Sequence, residues 1–237
     1  MPEHSQPKEH RRGRRPGLAG AAIAAWALSG CAVNAPVGTE FPSPLVDPLP
    51  LHMGVSFPEE LTTYEHVEVI PGDREWIVRL GPANRAMFAR LFSAMFEDMT
   101  LVGPGDAETG PGADPAGGDL PVGGGSPEPP AAPLDAILVP SIESFEFANP
   151  VDHDTTETTV WITYRMRLTT PDGRLIAEWP VRAYGRSPYS FLGAKDSLVD
   201  ATHMAMRDAG AYLVLHFASE PRIREWLRET GKLENSP

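Results

Sequence analysis

Apolar and polar positions alternate most regularly between residues 158 and 187. Val160, Ile162, Tyr164, Met166 and Leu168 take one side, and Trp161, Thr163, Arg165, Arg167 and Thr169 take the other. That pattern predicts a half-buried antiparallel strand. Thr170-Pro171-Asp172-Gly173 follows as a turn, with Pro preset at its first corner and Gly free to take positive φ. Beyond it Leu175, Ala177, Trp179, Val181 and Ala183 alternate again. Pairing Thr169 with Arg174 brings both apolar sets to one face, so the hydrophobic pattern itself fixes a register. In that register Trp161 lies opposite Arg182, a cation–π geometry, and Arg165 lies opposite Glu178.

A period near 3.6 replaces this alternation in two places. Phe88, Leu91, Phe92, Met95, Phe96 and Met99 form one stripe behind Pro82, which sits where a first helical residue often does. The stripe is read as core rather than as the wall of a ligand groove. Lys195–Ala218 is the second long helix, with Leu198, Ala201, Thr202, Ala205, Ala209, Tyr212, Leu213 and His216 on its apolar side. His216 is there read as a satisfied core residue. A short helix over Pro221–Glu229 carries Ile223, Trp226 and Leu227. Leu51–Phe57, a pair at Tyr64–Ile70 and Glu75–Leu80 around Pro71-Gly72-Asp73, and Leu134–Val139, running on to Phe147, complete the strands. The expected fold is α+β: a two-layer sandwich with a mostly antiparallel sheet of four to six strands and two long helices on one face.

Two stretches break both periods. Residues 32–50 hold five prolines and predict an extended tether, up to about 60 Å in polyproline II form. Gly103–Pro133 holds nine Gly and eight Pro without Lys or Arg, and predicts a disordered acidic insertion in a surface loop. Loop-closure entropy rises only logarithmically with length, so this insertion need not separate two domains. One domain over 51–230 is expected, with residues 231–237 as a flexible tail.

The amino-terminal segment then sets the compartment. Arg11, Arg12, Arg14 and Arg15 precede an apolar run from Leu18 to Leu28, which is the layout of a secretory signal over residues 1–30. Eleven apolar residues make a helix of about 16 Å, half of a ~30 Å hydrocarbon core. The run ends in Leu28-Ser29-Gly30-Cys31, which resembles the lipobox of bacterial lipoproteins. The resemblance implies cleavage between Gly30 and Cys31, a diacylglyceryl group on the Cys31 thiol, and acylation such as palmitate on the new amino terminus. Cys31 is the single cysteine among 237 residues, so no intrachain disulfide is possible. With Ala at position 32, analogy with lipoprotein sorting implies the periplasmic face of the outer membrane; inner-membrane anchoring stays open. Losing residues 1–30 removes five basic and two acidic residues from totals of 20 and 32, which leaves 15 and 30. A net charge of −15 gives no overall attraction to nucleic acid or to an anionic membrane surface. Two or more acyl chains, not charge, would hold the chain on its membrane.

Element order, and the long hairpin ahead of a helix rich in small residues, make the mature chain similar to small envelope lipoproteins of the LptE and YajG type. The similarity implies a non-catalytic accessory or assembly factor in envelope transport. A carrier of lipid or another amphiphile is the alternative; it predicts an apolar cavity behind Phe88, Phe92 and Met95. A metal-dependent hydrolase is a third class, for which the sequence offers little.

Candidate chemistry is sparse. Asp196, Asp200 and His203 share one helical face at a spacing usable by a divalent metal, but Arg207 continues that face and a solvated charge stripe explains it. Asp152, His153, Asp154 and Glu157 offer a second set of ligands in a strand connection. Ser141, Ser187 and Ser190 lack a glycine elbow, and no phosphate-cradling loop joins a strand to a helix. No catalytic residue, metal or cofactor is assigned. One constellation remains: Trp161, Arg165, Arg167, Arg182, Tyr184 and Arg186 share the sheet face turned away from the helices. That face is expected to meet an envelope protein complex or the phosphates of an anionic glycolipid.

Overall fold

The computed structural model describes residues 32–70, 74–103, 133–150 and 156–232. The fold is α+β, with a five-stranded sheet ordered β5-β2-β6-β7-β8 and a three-stranded sheet ordered β1-β4-β3. In chain order the strands are β1 (Val33–Pro36), β2 (Leu49–Val55), β3 (Glu65–Ile70), β4 (Arg74–Arg79), β5 (Phe96–Leu101), β6 (Ala136–Ala148), β7 (Glu157–Thr169) and β8 (Leu175–Pro188). The helices are α1 (Glu59–Thr62), α2 (Gly81–Met95), α3 (Ala194–His216) and α4 (Pro221–Glu229).

The sheets are more mixed than alternation alone suggests. The pairs β3–β4, β6–β7 and β7–β8 are antiparallel, whereas β2 runs parallel to both β5 and β6, and β1 runs parallel to β4. Residues 102–135 therefore carry the chain from one side of β2 to the other. Residues 104–132, most of the expected insertion, lie outside the described residues.

One face of the large sheet is covered along its length. Phe88 of α2 meets Tyr164 of β7 edge to face, at 5.2 Å between ring centroids. The Tyr164 hydroxyl donates to Asn84 Oδ1 at 2.8 Å, and Asn84 Nδ2 donates to the Leu61 carbonyl. Burial, with a smaller contribution from Tyr64, pushes the Tyr164 phenol far above its ordinary pKa, so it stays a neutral donor. Helix α3 approaches β8 so closely that a Cβ on Gly185 would stand 2.0 Å from the Ala201 carbonyl oxygen. This is why Ala201 and Ala205 face the sheet. Asp208 of α3 also accepts the outward Tyr184 N–H at 3.0 Å, closing part of the β8 edge. The small sheet covers the end of β6, where Trp76 and His66 pack on Phe147 and Phe145.

Several expectations change. Residues 32–50 are not a free tether: β1 pairs with β4, Val37 N–H donates to Arg79 O, and Val37 and Phe41 are buried. A parallel edge strand needs no alternation to pair, and Pro36 sits at its exposed end. Helix α2 stops at Met95, and Phe96 begins β5 at once. Phe96 and Met99 fit the helical stripe by coincidence, while Glu97 and Asp98 would oppose the dipole at a helix C-terminus. His216 is exposed beside Tyr212, because the buried stripe of α3 runs through Ala209, Leu213 and Phe217 instead. Gly231 and Lys232 also belong to the folded unit, since Lys232 Nζ reaches Asp135 Oδ2 at 3.1 Å and the Pro50 carbonyl.

Candidate functional site on the open sheet face

The structure brings Trp161, Arg165, Arg167, Arg182, Tyr184 and Arg186 onto the face of β7 and β8 opposite the helices. The register differs from the expected one by two residues. Gly173, at φ 87°, closes a short loop in which Thr170 and Arg174 face each other, and a bulge between Leu168 and Thr169 moves the pairing on again. A shift of two preserves the faces and changes the neighbours. Trp161 thus pairs with Tyr184 rather than Arg182, Arg182 faces Thr163, and Arg165 faces Pro180.

The centre of this face is aromatic. Trp161 and Tyr184 are 44% and 43% exposed, with ring centroids 5.7 Å apart. Around them the charges are mostly paired. Arg165 bridges Glu143 at 2.8 Å and Glu178 at 3.3 Å, and these carboxylates, Glu143 foremost, hold its guanidinium above its ordinary pKa. Arg186 pairs with Glu157 at 3.1 Å. Arg167 and Arg182 make no salt bridge to another described residue. Glu146 faces Trp161 from β6. Four arginines thus share the face with Glu143, Glu146, Glu157 and Glu178, so it is charge-balanced rather than basic. Glu157 and Glu178 belong to the hairpin itself, whereas Glu143 and Glu146 come from the neighbouring strand β6, which the sequence alone does not place beside β7.

The other candidates separate. His203 is covered by the 38–41 segment: its ring stacks on Phe41 at 4.9 Å and its Nε2 lies 2.9 Å from the Gly38 carbonyl. Asp196 and Asp200 remain exposed, so the Asp/His stripe is split rather than uniformly solvated. Among the described residues no group of three His, Cys, Asp or Glu side chains could hold a metal. Asp152, His153 and Asp154 lie outside the described residues, as do Gly30 and Cys31. Among the described residues no helix is long and apolar enough to cross a membrane.

The core side chains Phe88 and Phe92 are fully buried and stacked on each other, with ring centroids 5.4 Å apart. An apolar groove of about 390 Å³ lies elsewhere, between α2 and α3 under residues 41–46. Met87, Leu91, Met206, Val214 and Leu215 line it, and Arg207 stands at its margin.

No family model matches the chain, and no curated protein matches it. Solved structures give distant likenesses. A Xanthomonas campestris protein of the family DUF330 aligns at 11% identity over 79% of this chain and 98% of its own, with a TM-score of 0.42. A Caulobacter crescentus chain described as a "putative lipoprotein" aligns at 13% identity over 38% of this chain and 70% of its own, with a TM-score of 0.31. A hypothetical protein of Chlamydia trachomatis aligns at 12% identity over 72% of this chain and 99% of its own, with a TM-score of 0.37. Likeness at this level carries no argument about function.

Proposed function

We propose that the chain is an envelope lipoprotein, anchored through acylated Cys31 at the periplasmic face of the outer membrane, whose folded domain holds a protein partner on its open sheet face. The lipidation half rests on the ordered signal features and on Leu28-Ser29-Gly30-Cys31. The observation that carries the binding half is the exposed Trp161–Tyr184 pair in a charge-balanced surround of arginines and glutamates. Trp, Tyr and Arg are the residues enriched where binding energy concentrates, and a rim of mixed charge selects a partner by complementarity. A glycolipid phosphate would call for unneutralised cations, and here Glu143, Glu178 and Glu157 already occupy two of the four arginines. The role is that of an accessory or assembly factor rather than an enzyme.

The test is chemical crosslinking in intact cells, with intact-mass analysis of the extracted protein. Added acyl mass on a chain beginning at Cys31, and a discrete crosslinked protein lost in Trp161→Ser/Tyr184→Ser, are the expected results. Replacing Arg165, Arg167, Arg182 and Arg186 together with Ser should remove the same crosslink without unfolding the domain. A crosslink that survives both variants refutes the assignment of this face. The groove under residues 41–46 favours a second reading, an amphiphile carrier; that reading predicts a stoichiometric lipid released on denaturation and seen by mass spectrometry.

A further inference from the structure

Residues expected to act as a long spacer are built into the fold, and this fixes which end of the domain lies nearest the anchor. Two Cα steps separate Cys31 from Val33, the first residue of β1, and at ~3.8 Å each they span at most about 8 Å. The headgroup zone on each side of a bilayer is of similar thickness, about 5–8 Å. A lipid on Cys31 therefore leaves no room for the domain to stand away from the surface while β1 stays paired.

A line of neighbours marks the level of Val33 across both sheets. Val33 pairs with Trp76, Trp76 packs on Phe147 at 5.8 Å, Phe147 pairs with Val160, and Val160 pairs with Gly185. On the anchor side of that line lie the end of β3, the start of β4, and the passage from β8 into α3. Each of the first and last presents an apolar side chain to solvent: Val69 is 64% exposed and Leu192 is 97% exposed. Leu175, also exposed at 52%, sits at the β7–β8 turn on the opposite end.

We infer that the domain rests end-on against the bilayer that holds its own acyl chains, with Leu192 and Val69 in the lipid interface. This inference rests on lipidation of Cys31, as proposed above. It gives the two exposed apolar side chains a solvent that suits them, because the interface accepts apolar groups flanked by polar ones. It also sets the open face of β7 and β8 upright, roughly perpendicular to the membrane, where a partner on the same membrane can reach it from the side.

Cys31 is the single cysteine and its thiol would be consumed by the lipid, so any introduced cysteine is a unique label site. Leu192→Cys, Val69→Cys and Leu175→Cys, each carrying an environment-sensitive fluorophore, would be reconstituted as full-length acylated protein in phosphatidylethanolamine–phosphatidylglycerol vesicles containing a doxyl lipid. Loss of emission at 192 and 69 with emission retained at 175 is the expected result. A flexible Gly/Ser linker placed between Ala32 and Val33 should restore emission at both quenched sites, showing that the short connection imposes the contact. Retained emission at 192 and 69, in protein whose mass shows the acyl chains, overturns the end-on seating alone. Protein without acyl mass overturns the lipid anchor, and the seating with it.

Discussion

Along β7 and β8, every second residue meets α2, α3 or the small sheet, and the residues between them meet solvent. The covered side is closed to solvent: Ile162, Tyr164, Met166 and Val181 are essentially inaccessible, and at Gly185 even one added carbon collides with helix backbone. The open side holds two half-exposed rings and charges that pair across strands. The same hairpin therefore separates two tasks. Stability is concentrated on the packed side, and the other side is free to carry a recognition surface without endangering the fold.

Substitutions can break this contrast. The largest effect is expected from Met166→Ala, which opens a cavity in a fully buried site and should cost about 3 kcal/mol in denaturant unfolding. Gly185→Ala should cost about 2 kcal/mol, because the clash is with the Ala201 and Ala205 backbone rather than with a movable side chain. Tyr164→Phe strands the side-chain Oδ1 of Asn84 in the core and should cost about 1 kcal/mol, with little change in m-value. The smallest loss, about 0.5 kcal/mol, is expected for Trp161→Ser on the open side, while its crosslink disappears. A Trp161 variant less stable than the Gly185 variant would show that the open face is itself part of the stabilising core.

How far the chain could be read depended on whether burial had a period. The β7–β8 hairpin was legible residue by residue because one face is wet and one is dry; only its register moved, through a bulge that alternation does not encode. Helix α3 was legible for the same reason along its buried stripe, but not at His216, where the stripe drifts round the helix. The end of α2 was obscured by Phe96 and Met99, which continue a 3.6 spacing into a strand; Glu97 and Asp98 were the available signal against that reading. Strand β1 had no signal of its own. Four residues pairing in parallel at an edge need neither alternation nor length, and the surrounding prolines masked them. The six residues of the open face were legible as a set, whereas Glu143 and Glu146 were missed as its counter-charges because they lie on β6 and strand order is not written in a local pattern.

The route from β5 to β6 has a consequence of its own. Both strands run parallel to β2 and flank it, with Leu101 level with Val55 and Ala136 level with Met53. A hairpin cannot make that join; the polypeptide has to climb over β2 and come back to start in the same direction, which takes about a dozen residues. Residues 102–135 are thus partly an obligatory bridge and partly surplus length. Trimmed to roughly a dozen residues the molecule should still assemble, trimmed to four it should not, and new chain ends opened within the surplus would make it the natural site for circular permutation.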